Sequence, residues 1–187
     1  MSKEEFFLSE NEKFQLIEIA RSTIRSYILT GQFSHIDKSK LSKSLLMECG
    51  CFVSLHKKGS LRGCIGRFTS NDSLYEIVQK MAISSATQDN RFPNVELDEL
   101  DEIEIEISVL TPLIKIISID EITMGKHGIY IKKGSLSGTF LPQVAIETGW
   151  TKEEFLGHCS KNKVGIGWNG WKDAEIFIFK ALVFSEQ

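Results

Sequence analysis

Six consecutive residues, Leu61-Arg62-Gly63-Cys64-Ile65-Gly66, hold the densest set of groups able to do chemistry. Read as a strand, the segment alternates its side chains. Arg62 and Cys64 then project to one side, and Leu61, Gly63 and Ile65 to the other. A guanidinium beside a thiol favours the thiolate, the nucleophilic form of cysteine. Glycine inside a strand weakens it and marks a bulge or the close approach of a backbone or ligand. Gly63 and Gly66 are therefore candidate binding positions, with Arg62 as a candidate anion contact and Cys64 as a candidate catalytic thiol. The same residues also fit a plainer arrangement, a buried cysteine packed as a small hydrophobe beside a structural arginine.

Two other residues carry similar chemistry. Arg91 stands in the irregular stretch Asp89–Val95, where it either grips an anionic group bidentately or fixes the loop through backbone carbonyls. His127, just before Gly128, is a candidate proton carrier or ligand, or a structural histidine; geometry decides between them. Trp168 and Trp171 could stack a ligand, although aromatic residues more commonly supply buried area. The four cysteines are Cys49, Cys51, Cys64 and Cys159, and Cys49-x-Cys51 is too tight for the usual zinc spacing. With His35, His56, His127 and His158 scattered, no tightly bound metal and no cofactor is expected.

These residues must be positioned by secondary structure that the sequence also marks. Ser9 and Glu12 form a capping-box pattern, and Ile17, Ala20, Ile24, Tyr27 and Ile28 recur at helical spacing, predicting a helix over 10–30 stopped by Gly31. A short helix is expected near Lys38–Met47. Cys51–His56 and Leu61–Ile65 read as a hairpin across the four residues from Lys57 to Ser60. Leu74, Ile77, Val78, Met81 and Ala82 predict a helix to about Ser85. The clearest strand alternates Ile103, Ile105, Ile107 and Val109 with Glu102, Glu104, Glu106 and Ser108, one face buried and the other wet. Ile114–Ile122 is apolar without a clear period. A second hairpin is expected between Gly128–Lys132 and Thr139–Leu141, a short helix over Pro142–Thr148, a capped helix from Thr151 to about Lys161, and a closing strand over Glu175–Phe184. Hairpins separated by helices, without regular strand–helix alternation, predict an α+β fold with mainly antiparallel sheet around one continuous core.

The chain has 187 residues, enough for one domain or two small lobes. Its composition, 42% hydrophobic and 25% charged, excludes disorder over most of its length. With 22 basic and 25 acidic residues it lacks the basic surplus of a nucleic-acid binder. No apolar run approaches the roughly 18–20 residues of a membrane span. The charged stretch Met1–Glu12 lacks the apolar core of a signal peptide, so a cytoplasmic protein with reduced thiols is expected.

Several segments together resemble one family. Leu61–Gly66 matches the LRGCIG signature of the AMMECR domain family, whose bacterial and archaeal members are called AmmeMemoRadiSam system protein A. Asp89–Val95 resembles its D-P-R-F-P-P-V, and Glu106–Pro112 its E-V-S-V-L-T-P. His127-Gly128, Phe140–Val144 and Gly149-Trp150 follow in the family's order, so the likeness runs from about 15 to 185. Asn90 and Asn94 stand where the family tends to have prolines, and Lys161-Asn162-Lys163 departs from its K-A-G after Cys159. The resemblance implies an α+β fold of two lobes, interleaved within a single domain over 1–187, with the LRGCIG segment facing a cleft between them. Arg62, Cys64 and Arg91 are expected to meet there, with His127 at its rim. It also implies functional association with a radical SAM protein and a Memo-type protein, but no defined reaction.

Three functions follow as alternatives. One is a binding or substrate-presenting module for those partners. Another is an enzyme using Cys64 as a nucleophilic or redox thiol on a small anionic molecule. The third, a nucleic-acid-binding regulator, is disfavoured by the charge balance. The chain contains no G-x-S-x-G, P-loop or H-E-x-x-H pattern to assign a known chemistry.

Overall fold

The computed structural model describes residues 8–186. Helix α1 (Glu10–Thr30) begins where the Ser9 hydroxyl accepts the Glu12 N–H at 3.3 Å and the Glu12 carboxylate accepts the Ser9 N–H at 2.7 Å. Each end of this exchange satisfies an amide that the first helical turn leaves without a partner. The helix stops at Gly31, which takes a left-handed φ of 71° and returns its N–H to the Tyr27 carbonyl. The short helix expected near Lys38–Met47 is two single 3-10 turns, Lys38–Lys40 and Ser44–Leu46.

Strands β1 (Gly50–Lys57) and β2 (Ser60–Arg67) form the first hairpin. The connection is tighter than predicted. Only Lys58 and Gly59 lie outside the ladder, both at positive φ, 52° and 77°, the geometry of a two-residue turn that follows the strands' natural twist. Helix α2 (Leu74–Thr87), opened by a Ser73–Glu76 capping box, packs on this hairpin, and β3 (Ile103–Leu110) pairs antiparallel with β1. With β8 (Ala181–Ser185) they make a sheet in the order β2-β1-β3-β8. Ile103, Ile105 and Ile107 are buried, and Glu104 is exposed. Ser108, expected on the wet face, is buried at 8% exposure.

The second sheet has the order β4-β7-β5-β6, from β4 (Ile114–Ile116), β5 (Gly128–Lys133), β6 (Leu136–Phe140) and β7 (Glu175–Phe179). Helices α3 (Pro142–Thr148) and α4 (Lys152–Cys159) accompany it, and α4 runs on through a π-turn over Ser160–Val164. The fold is α+β with antiparallel pairing, as predicted.

Two expectations are corrected. Apolar residues gather into two clusters, one around Leu55, Ile77 and Ile105, the other around Ile129, Phe155 and Leu156, so the core is not continuous. The chain accordingly divides into two units, the first up to Leu110 with the segment from Leu182 on, and the second Thr111–Ala181. The closing strand over Glu175–Phe184 is two strands, β7 and β8, in different sheets. They separate at Lys180, whose backbone exchanges hydrogen bonds with Thr111: the Thr111 N–H reaches the Lys180 carbonyl, and the Lys180 N–H reaches Thr111 Oγ1, both at 2.9 Å.

Candidate functional site

Strand β2 is an edge strand, and what covers its edge defines the site. The pairing slips between Leu55, opposite Gly63, and His56, opposite Leu61, leaving Arg62 as an extra residue. This is a β-bulge, and it frees Arg62 from the strict alternation that the sequence suggested. The Arg62 guanidinium holds Glu99 through Nε and Nη2, at 3.3 and 2.6 Å. It also donates from Nη1 to the Pro93 carbonyl at 2.7 Å and from Nη2 to the Asn94 carbonyl at 3.1 Å. Both side chains of the pair are 14% exposed. Arg62, with Lys57 adding a contact at 3.0 Å, pulls the Glu99 carboxyl down to about 2.

Cys64 sits two residues on. Its N–H donates to Asp89 Oδ2 at 2.8 Å, and its carbonyl accepts from Arg91 Nη2 at 3.3 Å. Arg91 in turn chelates Asp89 through Nε at 2.9 Å and Nη2 at 2.7 Å. The Asp89 carboxyl, nearly buried, lies well below the usual carboxylate range, chiefly because of the Arg91 hydrogen bonds. The loop Asp89–Asn94 is thereby clipped to the edge of β2 from two sides, by Arg91 and Asp89 at Cys64 and by Arg62 at Pro93 and Asn94. An edge strand left bare would offer these same backbone groups to another chain.

The glycines answer to packing. A Cβ on Gly63 would stand 2.2 Å from the Ser85 carbonyl oxygen, so only glycine lets α2 approach β2 here. The Ser85 hydroxyl then accepts the Ile65 N–H at 2.9 Å and donates to the Val53 carbonyl at 2.7 Å, tying helix and hairpin together. A Cβ on Gly66 would fall 2.2 Å from the Phe52 ring. Neither glycine needs a ligand to explain it.

Cys64 is half-buried, whereas Cys49, Cys51 and Cys159 are buried. Burial pushes the Cys49 thiol up to about 11 and the Cys159 thiol up to about 12. The polar side chain that reaches Cys64 Sγ is Ser54, whose hydroxyl donates at 3.2 Å from the facing position on β1. A serine hydroxyl does not take up a proton near neutral pH, so this neighbour is not a general base. Each guanidinium already faces a carboxylate, Arg62 with Glu99 and Arg91 with Asp89. Arg62 holds the loop to which Arg91 belongs, but the two arginines do not form the surplus of positive charge that would draw an anion. Arg91 remains the accessible one, its side chain 58% exposed.

His127 belongs to the second unit and closes a turn there. Its Nδ1 accepts the Thr123 N–H at 3.1 Å, its own N–H reaches the Thr123 carbonyl at 2.9 Å, and burial lowers its pKa. Trp171 is buried, 9% exposed, in that unit's core. Trp168 lies over Gly157, whose Cβ would come within 2.5 Å of the indole, and meets the His158 ring edge-on. His158 stacks on Trp150 with ring centroids 3.9 Å apart. Among the described residues, no cluster of three or more His, Cys, Asp or Glu is arranged to hold a metal ion, and no helix is long and apolar enough to cross a membrane.

A family model described as AMMECR1 matches residues 17–184. The chain belongs to the AMMECR1 family. Curated relatives cover nearly its full length: a protein of Methanosarcina mazei is 37% identical over 96% of this chain and 94% of its own, and Protein MK0488 of Methanopyrus kandleri is 39% identical over 92% and 87%. The crystal structure of uncharacterized protein PH0010 from Pyrococcus horikoshii superposes with a TM-score of 0.82 at 36% identity, covering 98% of this chain and 95% of that one. The α+β architecture is therefore that of the family. The LRGCIG signature that pointed to AMMECR1 falls on the bulged edge strand, and the D-N-R-F-P-N-V segment on the loop clipped to it. Sequence reasoning missed four residues of this arrangement: Ser54, Ser85, Asp89 and Glu99. Asp89 was the most accessible to it, two residues before Arg91; Glu99 is hidden in an acidic run, and the serines matter only through cross-element register.

Proposed function

We propose that this AMMECR1 chain is a binding or substrate-presenting module that works with a radical SAM protein and a Memo-type protein. The observation that carries this reading is the engagement of Arg62. Four hydrogen bonds to Glu99, Pro93 and Asn94 make it a structural clip and leave no guanidinium edge to hold a substrate. The clipped loop and the edge of β2 form a fixed surface bearing an exposed Arg91, suited to contact with another protein. Calorimetric titration of the purified chain with purified radical SAM and Memo-type proteins tests it. Binding by the wild type, retained within about twofold in Cys64→Ser and weakened at least about tenfold in Arg91→Glu, is expected. Absence of binding to either protein overturns the reading.

A second reading is favoured by a separate observation, the greater exposure of Cys64 relative to the other three cysteines. In it, Cys64 is the nucleophilic or redox thiol of an enzyme acting on a small anionic molecule, with Arg91 as the anion contact. Loss of substrate turnover in Cys64→Ser, with partner binding intact, would establish this alternative.

A further inference from the structure

A groove of about 1130 Å³ opens in the first unit, on α1 and the ends of β3 and β8, and shares no lining residue with β2 or the loop clipped to it. Its apolar wall includes Phe14, Ile17 and Phe184. Phe14 is 64% exposed although it stands on a well-capped helix, two positions before the buried Leu16. Soluble proteins place single apolar side chains on the surface freely, but an exposed aromatic beside a concavity marks a place where another chain can seat.

The charge around the groove is one-sided. Among the described residues, six carboxylates line it together with Lys13 and Arg21. Both cations are already matched. Lys13 pairs with Glu10 at 2.6 Å, and Arg21 is chelated by Glu186 and also donates to the Leu100 and Ile103 carbonyls. Arg21 is thus held internally, its pKa raised by that carboxylate, and offers the groove no unmatched positive charge. Asp101 is met by Arg25 at 3.0 Å and Glu102 by Lys58 at 3.0 Å, exposed pairs that water screens, and Glu18 and Glu104 leave the rim negative. The first unit as a whole has 13 basic against 18 acidic residues, while the second has 9 against 7, so the field over this groove is not cancelled by its own unit.

We propose that this groove docks a basic segment of a partner protein, with lysine or arginine side chains along the acidic rim and one apolar residue seated against Phe14, Ile17 and Phe184. Charge complementarity selects the partner: opposite charges steer encounter and fix register, and the apolar anchor supplies desolvated contact. A polyamine or a divalent cation would satisfy the rim but make no use of the apolar wall. This site is independent of the Cys64 surface and of the role proposed for it.

The probe is a fluorescein-labelled decapeptide of four lysines, one central phenylalanine and otherwise glycine and serine, measured by anisotropy against the full chain. Its site is located by backbone amide shifts in NMR. Binding that perturbs amides of α1 and of 184–186, and weakens at least about fivefold in Glu18→Lys, in Phe14→Ser and when the peptide's phenylalanine becomes alanine, is expected. Phe14 is exposed enough that its serine variant keeps the fold, and an unchanged amide spectrum elsewhere confirms this. Glu153→Lys, the same change of charge in the second unit, should leave affinity unchanged. The proposal is overturned if the peptide fails to bind, if Glu153→Lys weakens it as much as Glu18→Lys, or if the phenylalanine is dispensable, which would reduce the groove to an acidic surface open to any cation.

Discussion

Arg62 acts on this structure through the carboxylate it holds. Its pair with Glu99 is largely shielded from water, and removing one partner strands the other. Arg62→Ala is expected to destabilise the chain by about 2–3 kcal/mol, less than the loss of a fully isolated pair because Lys57 still reaches Glu99. Chemical denaturation measures it. The pH dependence has a definite sign. Folding depresses the Glu99 carboxyl from its ordinary value of 4.5 to about 2, so its contribution is fully present above about pH 4.5 and is lost as pH falls toward 2. Glu12 and Glu76, also held at about 2, lose theirs over the same window, so the difference between wild type and Glu99→Gln isolates one group. That difference is expected to shrink by about 2–3 kcal/mol between pH 5 and pH 2. A difference that stays constant with pH would show that the Glu99 pair contributes nothing to the clip. Strand alternation and the family resemblance grouped Arg62, Cys64 and Arg91. They did not reveal which carboxylate each arginine would meet, because Glu99 and Asp89 come from other elements and no local pattern sets that pairing.

At the scale of elements, periodicity was informative wherever one face met the core and the other met water. Helix α1 ends where Ser9 and Gly31 said it would, and β3 buries Ile103, Ile105 and Ile107 as the alternation required. Ile105→Ala, at a fully buried position, is expected to cost about 2–5 kcal/mol by denaturant unfolding. A cost under about 0.5 kcal/mol would contradict the burial of that face. Periodicity failed where tertiary register intervened. The extra residue at Arg62 cannot be read from alternation, since the bulge exists only against the Leu55–His56 register of β1. Lys180 interrupts an apolar run that reads as one strand, because the break comes from Thr111 in another part of the chain. Ser108 is buried despite its place among the wet positions, a consequence of packing that the strand's own pattern does not carry.

For the whole molecule, the order of hairpins and helices gave the α+β class, and motif resemblance gave the family that relatives and a solved neighbour bear out. The resemblance implied two lobes, whereas the pattern of elements suggested one continuous core, because the first unit is discontinuous and regains the chain only at Leu182. The proposed partner surface, the edge of β2 with the loop from Asp89 to Asn94, is held by its own clips. Hydrogen–deuterium exchange of the chain, alone and saturated with the purified Memo-type or radical SAM protein, locates that surface directly. Added protection concentrated in 60–67 and 89–95, the same in wild type and Cys64→Ser, is the result predicted. A bound complex that leaves both segments unprotected would contradict the account.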